Sequence, residues 1–456
     1  MALLETARAP LLGLIRSSRE YRREHRRMEQ ASMTTMTSGL EQIDLVTPER
    51  YAERGYPWDD WKLLRREAPV YWYDQPGVTP FWAITRYDDI QQISRDPETF
   101  ISSQRLVIRS AGSGDGGAND PSLTVPNLIN MDPPEHGKYR NATSRRFSPR
   151  GMRLLEDRVD EIAEDVIDEA AAHLVSQLTD RREMDFVRDV AAKMPMAAIC
   201  ELLAVDRDSW GDIFLWTNEF IGSEDPEYQQ GRSRRETWQS GMRGLQGYFM
   251  AHIERKRREP DESVMTTLVQ AEIDGEPLPE HEILSYAILL ILAGNETTRN
   301  ATSGGMQALI EHPDQFALLK SQPELLDSAV EEMLRWTSPV VHFARTVTQD
   351  TEIRGVPIRE GETLAMWYPS ANRDEDIFDN PDAFDIQRSP NDHLAFGGFG
   401  EHFCLGANLA RLEMRSIFRH LIQKMDHFQM NGDTERLSSG LIGGIKRLPV
   451  SYAVRE

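Results

Sequence analysis

The stretch that decides the fold is Phe396-Gly-Gly-Phe-Gly-Glu-His-Phe-Cys-Leu-Gly406, and a helical pattern begins directly after it, near Ala407. A lone thiol at the start of a helix is stabilised as thiolate by the positive end of the helix dipole and by unpaired backbone N–H groups, so Cys404 can bind iron. The glycines on both sides leave out side chains where a large flat cofactor would approach the backbone. Phe396 is placed to shield the sulfur from water.

Three other kinds of site are compatible with a glycine-rich stretch around a cysteine. A phosphate-binding G-x-G-x-x-G loop fails, because Phe403 stands where a third glycine is needed after Gly398 and Gly400. A zinc site built from His402 and Cys404 needs further ligands at matching spacing. A buried structural cysteine is the usual role of a lone thiol, and the glycine frame argues against it here.

The stretch resembles the F-x-x-G-x-x-x-C-x-G haem-binding signature of the cytochrome P450 family. The resemblance covers about residues 43–453, with the other diagnostic segments in the expected order. It implies the cytochrome P450 fold, mainly α with a minor β part, with a long central oxygen-binding helix and a proximal cysteine loop. It also implies haem b as the cofactor, Cys404 as the iron ligand, and Phe396 and Gly406 as cofactor-binding residues.

A second segment, Ala293-Gly-Asn-Glu-Thr-Thr298, places an acid beside a hydroxyl in the middle of an apolar helix. Gly294 loosens that helix, and the hydroxyl of Thr297 can bond back to a preceding carbonyl and open a groove for water or O2. The segment resembles the family's A-G-x-D/E-T oxygen-activation motif. This implies Glu296 and Thr297 as the catalytic proton-delivery pair, with Ala293 as a cofactor contact. A solvated acid-hydroxyl pair is the ordinary alternative.

A third feature is the pair Glu332 and Arg335, three residues apart on a predicted helix that ends near Trp336. Taken alone, such a pair is an exposed salt bridge that contributes little to stability. The pair matches the family's E-x-x-R motif, and Arg388 matches the arginine that completes its buried ion triad. The resemblance implies that this triad is structural and holds the loop under the haem.

Haem carries two propionate carboxylates, so cationic or N–H donors must converge on them in an apolar pocket. The family's pattern implies four such donors: His136, Arg140, Arg345 and His402. Taken singly, histidines and arginines are more often surface or satisfied core residues. His342 and His393 are interpreted in that ordinary way.

The composition indicates an acidic globular protein. The 456 residues include 52 Lys and Arg against 74 Asp and Glu, a net charge of -22, which argues against nucleic acid as a partner. Only two cysteines are present, Cys200 and Cys404, and they supply no disulfide framework, which favours a reducing cytoplasm. No apolar run approaches the roughly 20 residues that span a bilayer, so no transmembrane anchor is expected.

Helical periodicity dominates after Pro149, in segments at about 151–180, 188–204, 209–221, 233–258, 262–272, 279–311, 313–337 and 405–425. Short strands are predicted at 70–73, 81–85, 343–357 and 361–367. Two long loops, 102–130 and 379–401, interrupt the pattern, and loops of that length usually carry function. We expect a single catalytic domain over residues 39–456 behind a mobile tail, residues 1–38, with a basic amphipathic membrane contact as the alternative for the tail.

The expected activity is that of a haem-thiolate monooxygenase, because thiolate ligation favours O–O cleavage over reversible O2 binding. We expect no fused reductase, since only 52 of the 456 residues follow Cys404. Electrons are therefore expected from a ferredoxin with its NAD(P)H-dependent ferredoxin reductase. The candidate docking cations are Arg145, Arg146, Arg411 and Arg415, and a solvated helix face is the alternative for each.

The expected substrate is an apolar small molecule, with O2 as co-substrate. The segments Ala293–Asn300 and Trp336–Val341 most resemble bacterial members that oxidise sterol side chains, methyl-branched lipids or terpenoids. Two other functions remain open: a haem-thiolate peroxygenase that uses H2O2, whose members lack the acid-threonine pair, and a haem-based sensor or ligand carrier. A monomer is expected from the family default.

Overall fold

The computed structural model describes residues 39–108, 127–173 and 181–455. Contacts divide the chain into two units, Met1–Asp44 and Leu45–Glu456. The described residues of the first unit contain one 3-10 turn, Leu40–Gln42. The predicted tail, residues 1–38, and residues 109–126 of the predicted loop lie outside the described residues. The expectation of a single domain over 39–456 therefore stays a prediction.

Helices make up most of the described part of the second unit. They are α1 (Pro48–Arg54), α2 (Trp58–Glu67), α3 (Tyr87–Arg95), α4 (Glu135–Ser144), α5 (Pro149–Arg153), α6 (Glu156–Ala171), α7 (Lys193–Leu202), α8 (Trp210–Ile221), α9 (Pro226–Gln229), α10 (Arg234–Arg258), α11 (Val264–Val269), α12 (Glu280–Glu311), α13 (Pro313–Ser321), α14 (Leu326–Thr337), α15 (Tyr368–Ala371) and α16 (Ala407–Lys424). A π-helix, Val187–Ala191, precedes α7.

The strands are short and are gathered into a few small sheets. They are β1 (Val70–Tyr73), β2 (Phe81–Ile84), β3 (Phe100–Ile101), β4 (Arg182–Asp185), β5 (Glu272–Ile273), β6 (Glu276–Pro277), β7 (His342–Val347), β8 (Thr351–Ile353), β9 (Val356–Ile358), β10 (Thr363–Trp367), β11 (Met425–Met430), β12 (Glu435–Arg436), β13 (Ile445–Arg447) and β14 (Pro449–Val454). The predicted fold class, mainly α with a minor β part, is confirmed.

The largest sheet has the strand order β1-β2-β10-β7-β3. Strands β1 and β2 are an antiparallel pair, as their β-branched and aromatic residues around a turn predict. Strand β10 joins β2 in parallel and β7 in antiparallel register. The short strands predicted over 343–357 are β7, β8 and β9, which turns separate.

The predicted helix over 313–337 is wrong as a single element. Gln322 has φ -132° and ψ 74°, which lie outside the helical region. The next residue is Pro323, and a proline disfavours the helical conformation in the residue before it. The chain therefore makes a 3-10 turn, Pro323–Leu325, between α13 and α14. The predicted helix at 262–272 is too long for a similar reason, because α11 ends at Val269 and the hairpin β5–β6 follows.

Helix α12 is the central element of the core, and its side chains are buried along most of its 32 residues. It packs against α7, α10 and α14. Gly294 permits the contact with α7, because a Cβ there would lie 2.9 Å from a side-chain carbon of Ile199. Gly305 does the same towards Met333 of α14. Within the described ranges, no helix is both long enough and apolar enough to span a membrane.

His342 at the start of β7 joins two distant segments of the chain. Its Nε2 accepts a hydrogen bond from the backbone N–H of Ile108 at 3.0 Å, so in the neutral ring Nδ1 carries the proton and donates to the carbonyl of Gly440 at 3.0 Å. Burial lowers the pKa of His342 to about 3, and the charge of Arg105 adds to the effect. His342 is therefore a buried core residue, as expected, and its two hydrogen bonds connect the backbone at Ile108 to the backbone at Gly440.

We expect His342 to make the stability of the protein depend on pH. The unfolded state binds a proton near the ordinary histidine pKa of 6.5, whereas the folded state stays neutral down to a pKa of about 3. Between these values the free energy of unfolding falls on acidification, by up to about 1.4 kcal/mol per pH unit. In His342→Gln this component is absent, and denaturant unfolding at pH 7 and pH 5 measures it. His281→Gln is the matched control, because that histidine is 68% exposed. A pH dependence identical in parent and His342→Gln contradicts the assignment.

Candidate active site

The middle of α12 is open on one side. Ala293 is exposed and Gly294 and Thr297 are half-buried, whereas Leu292 and Asn295 are buried. The Thr297 hydroxyl donates to the carbonyl of Ala293 at 2.8 Å, which is the back-bond that the sequence predicts. Such a bond satisfies the hydroxyl within the helix. The open side of α12 therefore presents the methyl group of Ala293 and the side chain of Thr297 to the site.

Glu296 lies on the buried side of the same helix. Its carboxylate pairs with Arg299 one turn further on, and Arg299 donates to Asn218 of α8 at 2.9 Å. Burial raises the pKa of Glu296, and the positive charge of Arg299 opposes that shift. Burial therefore favours the protonated form of Glu296, whereas Arg299 favours the carboxylate.

Hydrogen bonds fold the cysteine loop back on itself. The Cys404 backbone N–H donates to the carbonyl of Phe396 at 2.9 Å, and the Phe403 N–H donates to Gly400 at 2.9 Å. Arg140 of α4 donates to the carbonyl of Phe403 at 2.6 Å. These bonds fix the backbone on both sides of Cys404, whose own side chain is exposed.

The glycines of this loop serve a different purpose from the one that the sequence suggests. A Cβ at Gly400 would lie 1.7 Å from the backbone oxygen of Ser94 in α3, and one at Gly398 would lie 2.2 Å from the Ser94 hydroxyl. Close packing of the loop on α3 therefore requires these two glycines. A Cβ at Gly406 meets no protein atom within 4 Å, so at this position the backbone is open to a flat group.

Cys404 lies deep among protein atoms although its sulfur is accessible. Burial raises the pKa of its thiol, and the Gly406 N–H and the charges of Arg140 and Arg411 act in the opposite direction. Helix α16 begins at Ala407, just after the cysteine, so its N-terminal end also favours the thiolate. The Gly406 N–H, Arg140 and Arg411 act in the same direction. A metal ion bound at the sulfur would complete that shift, because a coordinating thiol is deprotonated.

A chain of charged and aromatic contacts supports Phe396 from behind. The Arg411 guanidinium lies 4.5 Å from the centre of the Phe396 ring and forms two bonds to Glu331, at 2.7 and 2.8 Å. Glu331 also contacts His393 at 3.2 Å. Sequence reasoning missed Glu331, and it named Arg411 as one candidate for partner docking, with a solvated helix face as the alternative. In the structure Arg411 contacts Phe396 and Glu331.

The structure brings Glu332, Arg335 and Arg388 together. Arg335 makes two bonds to the Glu332 carboxylate, both at 2.8 Å, and Arg388 Nε lies 3.1 Å from the same group. The two guanidinium groups also bind backbone carbonyls of residues 372, 379–381 and 383. Glu332 and Arg335 are completely buried. The triad therefore holds the chain that leads into the cysteine loop.

Three of the four predicted propionate donors have the properties of an anion site. Neither buried ring nitrogen of His136 makes a hydrogen bond within 3.5 Å, and the nearest carboxylate, that of Glu401, lies 3.6 Å from Nδ1. Arg345 is buried, and no carboxylate of the described residues lies within ion-pair distance of it or of Arg140. Buried charges in proteins are normally paired. These residues fit a cofactor that brings its own carboxylates, as the haem implied by the sequence does.

His402 differs from the other three. Its Nε2 lies 3.0 Å from the Ser102 hydroxyl, and the Met131 backbone also bonds to the ring. Burial lowers its pKa to about 2, so it is a neutral group with protein partners. Its ring lies 4.2 Å from that of His136. This geometry favours a role for His402 in positioning His136 over a role as a cationic donor. The contacts with Ser102 and Met131 that support this role are not visible in the sequence.

The loop also departs from the signature in one respect. Seven residues separate Phe396 from Cys404, one more than the F-x-x-G-x-x-x-C pattern contains. Phe399, within this longer segment, has φ 60° and stacks on Phe403 with ring centres 5.8 Å apart. The backbone thus accommodates the additional residue at a left-handed position while Gly400 keeps its contact with Ser94.

Comparisons with known proteins agree with this geometry. A family model described as Cytochrome P450 matches residues 231–453. The steroid C26-monooxygenase of Mycobacterium tuberculosis is 39% identical over 421 residues, 91% of this chain and 93% of that protein. The linalool 8-monooxygenase of Pseudomonas putida is 34% identical, over 90% of this chain and 99% of that protein. A Mycobacterium marinum cytochrome P450 solved in complex with pseudoionone matches with a TM-score of 0.81 and 30% identity. The match covers 92% of this chain and 100% of that chain.

We expect Gly400→Ala to destabilise the cysteine loop. The added methyl group meets the Ser94 backbone, which cannot rotate away, so the loop or α3 must move at a cost of about 1–3 kcal/mol. Chemical unfolding and the haem content of the purified protein measure the effect. Gly247→Ala in α10 is the control, because a Cβ there meets nothing within 4 Å. Equal stability and equal haem content in the two variants would contradict the packing role of Gly400.

Proposed function

The chain belongs to the cytochrome P450 family and is a monooxygenase, and from this premise we propose that it takes two electrons from a ferredoxin and hydroxylates an apolar substrate with O2. The observation that carries the proposal is the open side of α12, where Ala293 and Thr297 are accessible in an otherwise buried helix. An accessible thiol at Cys404 and the buried ring of His136, whose nitrogens make no hydrogen bond within 3.5 Å, support it.

We assign the cofactor, haem b, to the residues that fit it. Cys404 would ligate the iron, Gly406 and Ala293 would permit close approach of the ring, and Phe396 would shield the sulfur. Arg140, Arg345 and His136 would hold the propionates, with His402 positioning His136. When bound, the haem iron with a thiolate ligand supplies the activation of O2 that the protein's own side chains cannot.

Thr297 and Glu296 deliver protons in this proposal. The Thr297 hydroxyl faces the open side of α12, while its bond to Ala293 fixes its direction. Glu296 is its neighbour in sequence, and burial raises the pKa of its carboxyl while the charge of Arg299 opposes that shift.

The proposed substrate is a terpenoid, a sterol side chain or a methyl-branched lipid. Similar proteins include a steroid C26-monooxygenase, a linalool 8-monooxygenase and a methyl-branched lipid omega-hydroxylase. The segment that leads into β7 and the start of that strand support the assignment, because Val340 and Phe343 are half-buried. Val340 pairs with Ile442 of the C-terminal region in an isolated bridge. The resulting wall is apolar.

The proposed ferredoxin site lies at α5 and the end of α4. Arg145, Arg150 and Arg153 are exposed there, and Leu154 is 80% exposed beside them. No carboxylate of the described residues lies within ion-pair distance of Arg145. An acidic partner with an apolar contact fits such a surface. We also propose that the protein acts as a monomer in the cytoplasm.

Turnover with different oxidants separates this function from the alternatives. The purified protein is incubated with sterols, branched lipids and terpenoids, and either with a reduced ferredoxin and O2 or with H2O2 alone. Hydroxylated product that depends on the ferredoxin supports the proposal. Product formed only with H2O2 identifies a peroxygenase, and ligand binding to the haem without product under either condition identifies a sensor or carrier.

We expect Thr297→Ala to lower ferredoxin-supported product formation by about 100-fold. The variant keeps the methyl-lined open side but loses the hydroxyl that donates to Ala293. NADH consumption continues, and H2O2 is released in place of product. Thr297→Ser is the matched control, because it retains the hydroxyl. Normal product yield in Thr297→Ala with reduced ferredoxin would overturn the proton-delivery role.

We expect Arg145→Glu to raise the KM for ferredoxin several-fold without changing substrate binding. The charge reversal repels an acidic partner, and added salt reduces the difference between variant and parent because exposed charges are screened. Arg243→Glu is the control, since Arg243 is exposed on α10. An equal effect of both substitutions places the docking surface elsewhere.

A further inference from the structure

Two neighbouring glutamates of α14 bind different parts of the chain around the cysteine loop. Glu332 belongs to the ion triad described above. Glu331 binds Arg411 of α16 through both of its carboxylate oxygens, and it also binds His393 in the segment before the cysteine loop. The ion triad fixes backbone carbonyls, whereas Glu331 brings two side chains together beside the loop. We call Glu331 and Arg411 the charge pair.

His393 fixes the position of the Glu331 carboxylate. Its Nδ1 accepts a hydrogen bond from the backbone N–H of Ala395 at 3.2 Å, so in the neutral ring Nε2 carries the proton and donates to Glu331 at 3.2 Å. Burial opposes the ionisation of Glu331, but the bonds from Arg411 and His393 lower the pKa of its carboxyl to about 2. Glu331 is therefore a carboxylate at neutral pH.

The charge of Arg411 acts on the cysteine as well as on Glu331. The Arg411 guanidinium lies 4.5 Å from the centre of the Phe396 ring, within the range of cation–π attraction. The carbonyl of Phe396 accepts the backbone N–H of Cys404 at 2.9 Å. Burial raises the pKa of the Cys404 thiol, and Arg411 but not Glu331 is among the groups that lower it. The charge pair thus presents its positive member to the sulfur.

We propose that the charge pair sets the reduction equilibrium of the haem iron that Cys404 would ligate. Arg411 supplies positive charge that favours the thiolate and the reduced state, and Glu331 attenuates that charge and fixes its direction. Groups that surround a metal ligand are known to tune the reduction potential of the metal. Both members are positioning residues, because they act through Phe396 and Cys404. The inference rests on the proposed function, in which Cys404 is the iron ligand.

The step affected is the transfer of one electron from the reduced ferredoxin to the ferric iron. The ferredoxin is oxidised by one electron and the iron is reduced by one, so the haem and its thiolate become more negative by one unit of charge. Positive charge near the sulfur therefore favours the reduced form. The Arg411 and Glu331 side chains are 26% and 29% exposed, so solvent partly screens the effect.

We expect the two single substitutions to shift the midpoint potential of the haem in opposite directions. Glu331→Gln leaves the charge of Arg411 without its counter-charge and raises the potential, whereas Arg411→Gln leaves a carboxylate and lowers it. The ratio of reduced to oxidised protein at a fixed potential is expected to change roughly 10-fold, about 59 mV for one electron. Dithionite titration with redox dyes, followed by absorption, measures this ratio without substrate or ferredoxin.

Two further variants separate the effect of charge from that of packing. The double variant Glu331→Gln/Arg411→Gln removes both charges, and we expect its ratio to return to within about 3-fold of the parent. Arg411→Lys keeps the positive charge but loses the planar group that binds both oxygens of Glu331, and its potential is expected to stay near that of the parent. A purely structural role predicts shifts of one sign, with the double variant at least as far from the parent as either single variant.

Arg415→Gln is the matched control. Arg415 lies one turn further along α16, and its contact at 3.5 Å is with Asp327, whose side chain is 80% exposed. Solvent screens such a pair, so we expect its ratio to change by less than about 2-fold. Equal shifts in Arg415→Gln and Arg411→Gln, or shifts of the same sign in Glu331→Gln and Arg411→Gln, overturn the proposal.

The haem content and the CO spectrum of every variant are recorded beside its potential. If Glu331→Gln does not retain haem, the potentials of Arg411→Gln and Arg411→Lys decide the matter, because only the first is expected to fall. A parent that lacks the red-shifted band of a haem-thiolate protein contradicts both the proposed function and this inference. A parent that has the band but forms no product with ferredoxin contradicts the proposed function alone, and the potentials still test the charge pair.

Discussion

The buried carboxylate of Glu332 is the interaction on which the rest of the site depends. It binds Arg335 and Arg388 together, and these two arginines bind the backbone carbonyls of the chain that leads to the cysteine loop. Removing one member of such a buried set typically costs about 3–5 kcal/mol, because the remaining charges lose their partners. A loop with little regular structure can therefore present Cys404 from a fixed position.

Helix α12 carries out two tasks on its two sides. On its buried side, Gly294 and Gly305 allow close packing against α7 and α14. The same side holds the Glu296–Arg299 pair against α8. Its open side presents Ala293 and Thr297. Because the two sides belong to one rigid helix, the acid in the interior and the hydroxyl in the site keep a constant relation. The tight packing of α12 therefore fixes the position of Thr297 relative to Glu296.

Local patterns predicted the fold class, α12, the threonine back-bond and the members of the ion triad, because each depends on spacing along one helix or on one short motif. Contacts between distant segments were not predictable in this way. Nothing within residues 396–406 indicates that Gly400 packs on Ser94 or that His402 bonds to Ser102. The contact between Arg411 and Glu331 was missed for the same reason, since these residues lie 80 positions apart.

The central claim, that Cys404 is the iron ligand, is tested most directly by the absorption spectrum of the dithionite-reduced protein under CO. The parent and Cys200→Ala, which changes the other cysteine, a buried one, are expected to show a strongly red-shifted Soret band. Cys404→Ala is expected to lack it while remaining folded. A protein without haem, or the same band in Cys404→Ala and the parent, would contradict thiolate ligation by Cys404.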